Sequence, residues 1–172
     1  ADANECLLPG QAHSQLGQLA GLGVLYVEEP LPVEAIATRA KLKQAKILPI
    51  IADDSTFSLR DLSRELHYDT FDILNIKPAR TGYTESRRML AAALKNRKGV
   101  MVGSQASSTL GTIRAAFFAG MKGIDYPCEL SFFLKLEDDI VPRPIVIREG
   151  FIEVNELADI AFDEKRLERF AE

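Results

Sequence analysis

Four ionisable residues occupy almost regular positions in this sequence. Asp2, Glu28, Asp53 and Lys77 follow one another at intervals of 24 to 26 residues, and each lies at the end of a short apolar run. One strand, one helix and two short loops need about this many residues, because parallel strands are joined by a crossover helix. The spacing therefore predicts that all four side chains lie at the carboxyl ends of successive parallel strands, where (β/α) barrels build their active sites.

Three of these residues carry the oxygen ligands that Mg²⁺ prefers. Asp2, Glu28 and Asp53 would converge from adjacent strand ends on one side of a barrel mouth. Grouping three carboxylates in a partly buried site is costly unless a cation compensates their charge. We therefore predict a Mg²⁺ site at these residues, with Mn²⁺ as an alternative occupant.

The fourth residue, Lys77, would lie beside that site and is the candidate catalytic group. A divalent cation next to a lysine is an arrangement that removes a proton α to a carboxylate. The cation stabilises the enediolate, and the lysine moves the proton. The expected substrate is a small molecule that carries a carboxylate.

The elements that must position these residues follow from the apolar pattern. Nearly continuous apolar runs are typical of strands buried on both faces, and amphipathic segments between them are typical of crossover helices. Besides the strand that ends at Asp2, the predicted strands are residues 24–27, 47–52, 71–76, 99–103 and 129–136. The predicted fold is α/β: about six βα units of a (β/α)8 TIM-type barrel.

The C-terminal part has a different pattern. Residues 144–154 predict two strands joined at Glu149-Gly150, which is a hairpin signal. We therefore divide the chain into a barrel portion, residues 1–141, and a C-terminal hairpin and helix, residues 142–172. This second part is expected to return toward a capping domain.

The length of the chain bears on its completeness. A complete eight-unit barrel takes about 250 residues, whereas this sequence has 172 residues. We therefore expect a portion of a longer enzyme. The strands that end at Asp2 and begin near Glu129 would be open edges, which tend to recruit another chain. The expected partner is the missing N-terminal segment or a second copy in a homo-oligomer.

Composition excludes several classes of function. A net charge of −4 and a pI near 5.3 argue against a nucleic-acid surface. No stretch reaches the ~20 apolar residues of a membrane span, and no signal peptide opens the chain. Two cysteines without a CxxC spacing indicate a reducing compartment. The sequence thus predicts a cytoplasmic protein without a membrane or nucleic-acid partner.

Five short strings carry a resemblance to a known family. They occur in that family's order and spacing: DANE (2–5), VEEP (27–30), ADDS (52–55), NIKPARTG (75–82) and VGSQASSTLGT (102–112). The chain resembles the C-terminal barrel of the enolase superfamily, in the muconate-lactonizing (mandelate racemase/muconate cycloisomerase-like) subgroup. The resemblance implies that the first strand in this chain is the family's third, so that the six units resemble strands three to eight.

The resemblance also implies roles for single residues. It makes Asp2, Glu28 and Asp53 the Mg²⁺ ligands and Lys77 the acid/base lysine. The further substrate-binding or ligand-orienting candidates are Asn4, Glu29, Asp54, Asn75, Ser104, Ser107 and Glu129. For Ser104 and Ser107 the residues leave two alternatives open, because either serine could contact substrate or cap the following helix.

The implied reaction is a Mg²⁺-dependent isomerisation or cycloisomerisation through an enediolate. Residues 129–140 resemble the muconate cycloisomerase pattern and lack the Asp-x-Asp of dipeptide epimerases. The Lys-x-Lys motif that the subgroup carries on its second strand is not in this chain, and Ser107 stands where cycloisomerases have a glutamate. The alternatives are an o-succinylbenzoate synthase, an N-acylamino acid racemase, or a catalytically incomplete metal-binding barrel portion.

Overall fold

The centre of the fold is a parallel sheet whose strands lie in chain order. The computed structural model describes residues 1–170. Its four strands are β1 (Val27–Glu28), β2 (Ile50–Ala52), β3 (Ile73–Ile76) and β4 (Gly99–Val102). Single parallel bridges extend the sheet at both edges, one from Asp2 to Glu28 and one from Gly103 to Glu129. The backbone therefore passes through six neighbouring positions, as the spacing predicts.

A helix follows each of the four strands. The helices are α1 (Ala12–Gly21), α2 (Ile36–Gln44), α3 (Leu59–Tyr68), α4 (Pro78–Lys95), α5 (Thr109–Ala119) and α6 (Glu164–Arg169). Short 3-10 helices cover Asp54–Thr56, Phe132–Lys135 and Val154–Leu157. In the described part of the chain, no helix combines the length and the apolar character that a membrane crossing requires.

The hydrophobic core lies on both faces of the sheet, and β2 and β3 are buried along their whole length. Successive side chains along these strands point alternately to the inner face of the sheet and to the face covered by the helices. Ile51, Ile73 and Met101 make up a small inner cluster, separate from the main core under the helices. This is the two-layer pattern of a barrel wall, which explains why the strand sequences read as unbroken apolar runs.

Two residues set helix boundaries in this part of the chain. The Ser58 hydroxyl accepts the N–H of Asp61 at 3.2 Å and so caps α3. Gly82 has φ 69° and ψ 163°, so it separates the first turn of α4 from the rest of the helix. The Thr81 and Ser86 hydroxyls are 2.6 Å apart and join the two segments across this break.

The predicted strand over residues 129–136 is wrong beyond its first residue. Glu129 makes its bridge to Gly103, and the chain then turns into the 3-10 helix. Leu130 and Phe133 are the buried side chains of this segment, and Leu134 is 64% exposed. Burial at positions three apart is the pattern of a helical turn rather than of a strand.

The predicted hairpin over residues 144–154 is confirmed at its turn and wrong in its strands. Arg148 and Phe151 exchange two backbone hydrogen bonds of 2.9 Å around Glu149 and Gly150. Both turn residues have positive φ, 51° and 85°. The pairing consists of this single antiparallel bridge, and Phe151 is 74% exposed. An isolated two-stranded ribbon is marginally stable in water, so one bridge does not extend into longer strands.

Candidate active site

Asp53 and Lys77 form an ion pair at the ends of neighbouring strands. Asp53 directly follows β2, and Lys77 directly follows β3. Because β2 and β3 pair in parallel, their carboxyl ends lie side by side. The Lys77 ammonium donates a hydrogen bond to Asp53 Oδ2, and both side chains are close to nine-tenths buried.

Arg80 supplies a second cation to Asp53. It lies in the first turn of α4, and its Nη2 is 3.1 Å from Asp53 Oδ1 and 3.3 Å from Asp54 Oδ1. The Phe57 ring covers the guanidinium at 4.4 Å. Arg80 was not among the sequence candidates. The available signal was its position three residues after Lys77, which places it one helical turn from the strand end.

Glu28 lies at the end of β1 and is held by Asn75 from β3. Asn75 Nδ2 donates to Glu28 Oε1 at 2.8 Å. Burial raises the pKa of Glu28 to about 7, against the lowering effect of this hydrogen bond. The charges of Asp53 and Asp2 raise the pKa further, whereas Lys77 lowers it. Three of the four residues named by the sequence spacing therefore act electrostatically on the fourth, Glu28.

Gly103 makes room for the Asn75 side chain. A Cβ at Gly103 would lie 2.5 Å from Asn75 Oδ1 and 2.6 Å from Nδ2. Asn75 is 2% exposed, and its Oδ1 has no hydrogen-bond partner within residues 1–170. A buried amide oxygen without a partner is unusual and marks a point where a ligand or water belongs.

Asp2 reaches the site through its bridge to β1. Its two carboxylate oxygens accept hydrogen bonds from Asn4, at 3.0 Å from the backbone N–H and at 2.7 Å from Nδ2. Both residues are exposed. Asn4 therefore orients Asp2 by direct contact, which is compatible with the ligand-orienting role that the family resemblance implies.

Glu29 lies behind the site and organises the backbone of Asp53. It is 2% exposed and adopts φ 35° at the end of β1. Its Oε2 accepts the N–H groups of Asp53 and Ser55, each at 2.9 Å, and its Oε1 accepts Arg39 Nη2 at 2.8 Å. Burial raises the pKa of Glu29, and the Arg39 charge and these N–H donors oppose that shift.

The remaining candidates lie toward the last strand positions. Ser104 and Ser107 precede α5, but the N-cap of that helix is Ser108, so the capping alternative is wrong for both. The first N–H of α5 instead donates to Asp139 at 2.7 Å. Glu129 is exposed at the sheet edge, where its N–H donates to Val102.

A cavity of about 890 Å³ lies between the two edges of the sheet. Its lining includes Asp2, Glu28 and Glu129, but neither Asp53 nor Lys77. The tail around Phe151 closes part of it. The cavity therefore borders the candidate site at Asp2 and Glu28, whereas Asp53 and Lys77 lie outside its lining.

The acidic residues fit a hard divalent cation by donor type and by charge. The pKa of Glu28 is raised partly by Asp53 and Asp2, and a cation among the three carboxylates would offset that repulsion. In the observed arrangement of residues 1–170, however, no three acidic, histidine or cysteine side chains are close enough together to bind one metal ion. Asp53 faces Lys77 and Arg80 instead.

A family model described as "Enolase C-terminal domain-like" matches residues 1–158. The chain belongs to this family. Members of the enolase superfamily generally use Mg²⁺.

Muconate lactonizing enzyme from Pseudomonas putida superposes with a TM-score of 0.91 at 26% identity, over 99% of this chain and 49% of that enzyme. The fold is therefore a portion of the enolase-type TIM barrel, as the resemblance implied.

Two sequence relatives carry racemase and epimerase names. N-succinylamino acid racemase of Amycolatopsis sp is 29% identical over 154 residues, which are 89% of this chain and 42% of the relative. L-Ala-D/L-Glu epimerase of Bacillus subtilis (strain 168) is 34% identical over 125 residues, 70% of this chain and 34% of the relative. This enolase-type chain spans less than half the length of either.

Proposed function

We propose that the protein is a Mg²⁺-dependent isomerase that moves a proton α to a substrate carboxylate, with Lys77 as the acid/base group. The observation that carries the proposal is the Lys77–Asp53 ion pair beside Glu28 at three neighbouring strand ends. This pairing puts a proton carrier next to the acidic cluster. Membership in the enolase-type family supports the same chemistry.

Each residue has a distinct part in this proposal. Asp2, Glu28 and Asp53 would hold the cation, which supplies positive charge beside the substrate carboxylate when bound. In racemisation or epimerisation Lys77 takes the α-proton and a proton is returned to the product. In cycloisomerisation the substrate's second carboxylate adds to the diene and Lys77 delivers the proton to the α-carbon. Arg80 contacts Asp53 Oδ1 while Lys77 contacts Oδ2, so Asp53 keeps a cationic partner when Lys77 turns to the substrate.

The candidate substrate classes are supported by different observations. Muconate-like cycloisomerisation is supported by residues 129–140 and by the similarity to muconate lactonizing enzyme. Racemisation of N-acylamino acids is supported by the first sequence relative. Epimerisation of dipeptides is supported by the second, but the missing Asp-x-Asp in residues 129–140 argues against it. An o-succinylbenzoate synthase uses the same abstraction and remains the third alternative.

The test is α-proton exchange in the full-length protein. Wild type is incubated with Mg²⁺ in D₂O, separately with cis,cis-muconate, N-succinylamino acids and dipeptides. NMR follows deuterium at the α-carbon, which enters the lactone product from muconate and the substrate itself in the other two cases. Lys77→Met should lower exchange by about 10²- to 10⁴-fold, with Mg²⁺ affinity nearly unchanged.

The matched control is Lys95→Met, because Lys95 is exposed in the last turn of α4. This variant should retain wild-type exchange. Exchange at the wild-type rate in Lys77→Met would refute the role of Lys77. Mg²⁺ binding by wild type without exchange of any of the substrates would favour the catalytically incomplete metal-binding alternative.

A further inference from the structure

A buried charge network lies directly behind the candidate site and outside the motifs that the sequence singled out. Arg39 on α2 is 2% exposed, and its guanidinium lies between two buried carboxylates. Nη2 donates to Glu29 Oε1 and Nη1 donates to Glu65 Oε2, both at 2.8 Å. Arg39 thus connects α2, the end of β1 and α3.

The network is anchored on its far side. Glu65 is fully buried on α3 and accepts further hydrogen bonds from Thr70 Oγ1 at 2.5 Å and from Arg64 Nε at 2.9 Å. Glu65 therefore has a fixed position in the helix layer. A planar guanidinium can hold two carboxylates in one fixed geometry, which a lysine ammonium on a flexible chain cannot reproduce.

The other end of the network reaches the backbone of Asp53. Glu29 uses one oxygen for Arg39 and the other for the N–H groups of Asp53 and Ser55. Asp53 has φ −121° and ψ −85°, so the chain bends sharply at this residue. The orientation of the Asp53 side chain depends on that bend. Buried ion pairs contribute little net stability on average, so stability alone does not account for this one.

We propose that Arg39 is a positioning residue: with Glu65 it fixes Glu29, and through Glu29 it sets the backbone geometry from which Asp53 presents its carboxylate. The importance of that carboxylate for Mg²⁺ rests on the proposed function. The effect on the backbone of Asp53 and Ser55 does not. Outer partners that orient metal ligands typically change metal affinity by about 10- to 100-fold when altered.

The experiment uses Arg39→Lys in the full-length protein, which keeps the charge and removes the planar fork. Two quantities are measured well below the melting temperature: Mg²⁺ affinity by calorimetry and amide deuterium uptake of peptides that cover residues 52–57. We expect Mg²⁺ affinity to fall by about tenfold and deuterium uptake by residues 52–57 to accelerate.

The matched control is Lys43→Met. It removes a partly buried cation from the same helix, α2, and its ion pair with Asp69, but leaves the contacts of Arg39 with Glu29 and Glu65 in place. This variant should lower the melting temperature without changing Mg²⁺ affinity or exchange over residues 52–57. Adding Arg39→Lys to Glu29→Gln should cost little further Mg²⁺ affinity, because Arg39 acts through Glu29. If the losses of Mg²⁺ affinity in the two single variants simply add in the double variant, Arg39 does not act through Glu29.

The outcomes separate this inference from the proposed function. Wild-type affinity and exchange in Arg39→Lys, or equal changes in Lys43→Met, would overturn the positioning role. If Asp53→Asn leaves Mg²⁺ affinity unchanged, the proposed metal ligand set fails, and exchange over residues 52–57 still decides the role of Arg39. If Arg39→Lys does not fold, Arg39→Met with Glu65→Gln removes one charge of each sign and gives the same readouts.

Discussion

The side-chain amide of Asn75 on β3 reaches past β2 and donates a 2.8 Å hydrogen bond to Glu28 on β1. The contact joins two strands that are not neighbours, so the two side chains meet over the end of β2, on one face of the sheet. It exists because Gly103 at the end of β4 has no Cβ where the Asn75 amide lies. Three strand ends therefore cooperate to orient one carboxylate.

Substituting Gly103→Ala tests this arrangement. The added Cβ would fall 2.5 Å from Asn75 Oδ1, so the amide must move and its hydrogen bond to Glu28 must weaken. We expect Mg²⁺ affinity to fall by about tenfold or more, as measured by calorimetry. In Gly17→Ala, the new Cβ meets open space among the described residues, so affinity should stay at the wild-type value. Equal affinities in both variants would contradict the prediction.

The raised pKa of Glu28 predicts a pH dependence of Mg²⁺ binding. The carboxyl must lose its proton to act as a ligand, and its pKa is about 7. Apparent Mg²⁺ affinity should therefore decrease as pH falls below 7, by up to about tenfold per pH unit. Titrations from about pH 6 to about pH 8 measure this slope. An affinity that is flat across the range would show that Glu28 is already ionised.

Without Mg²⁺, the raised pKa of Glu28 makes the folded protein less stable as pH rises, whereas Mg²⁺ affinity increases with pH. The folded-state pKa of Glu28, about 7, lies above the unfolded value of 4.5. Between these two values the folded protein binds more protons than the unfolded chain. The free energy of unfolding should therefore fall as pH rises from about 4.5 to about 7. Denaturation in the presence of a chelator measures it, and Glu28→Gln should lose this contribution.

Asp53→Asn should affect both binding and stability. The substitution removes the anion that Lys77 and Arg80 share, and both cations are largely buried. Arg80 keeps Asp54 as a partner, but Lys77 loses its carboxylate, which should cost about 3 kcal/mol of unfolding free energy. Mg²⁺ affinity should fall because one ligand is lost. Asp54→Asn is the matched comparison, since Asp54 is 46% exposed and its ion pair is worth little. Wild-type Mg²⁺ affinity in Asp53→Asn would remove Asp53 from the ligand set.

Ser58→Ala separates stability from the site. Ser58 caps α3 through the N–H of Asp61, and the loss of such a cap costs about 1 kcal/mol. Thermal unfolding should report that loss, while Mg²⁺ affinity remains unchanged. Ser63→Ala removes an exposed hydroxyl from the middle of the same helix and should have a smaller effect. A similar loss in both variants would mean that Ser58 is not an effective cap.

The order of the strands and the location of the four charged residues could be predicted from the sequence. Each of these residues follows its own apolar run, so the position of Lys77 after Ile76 needs only local information. The Arg39–Glu65 contact could not be predicted in this way. Glu65 lies one position from the apolar stripe of α3, where a carboxylate is normally solvated, and its cation is 26 residues away on another helix.

The failed strand over residues 129–136 has a similar cause. Its apolar residues are dense enough for a buried strand, and pattern alone does not distinguish such a run from a short helical turn. The choice depends on what covers Phe133 and Leu130, which is tertiary information. Arg80 was missed for another reason: an arginine in the first turn of a helix is ordinarily a surface residue, and only the position of Asp53 gives it a partner.

The break at Gly82 has a mechanical consequence for α4. The short turn with Arg80 and the long segment that packs on α5 do not form one continuous helix, because Gly82 is not helical. A hydrogen bond between the Thr81 and Ser86 hydroxyls connects the two parts. Because the backbone leaves helical geometry at Gly82, a small shift of the long segment need not carry the turn with Arg80 along with it. The contact of Arg80 with Asp53 therefore depends less on the packing of the long segment than it would in one unbroken helix.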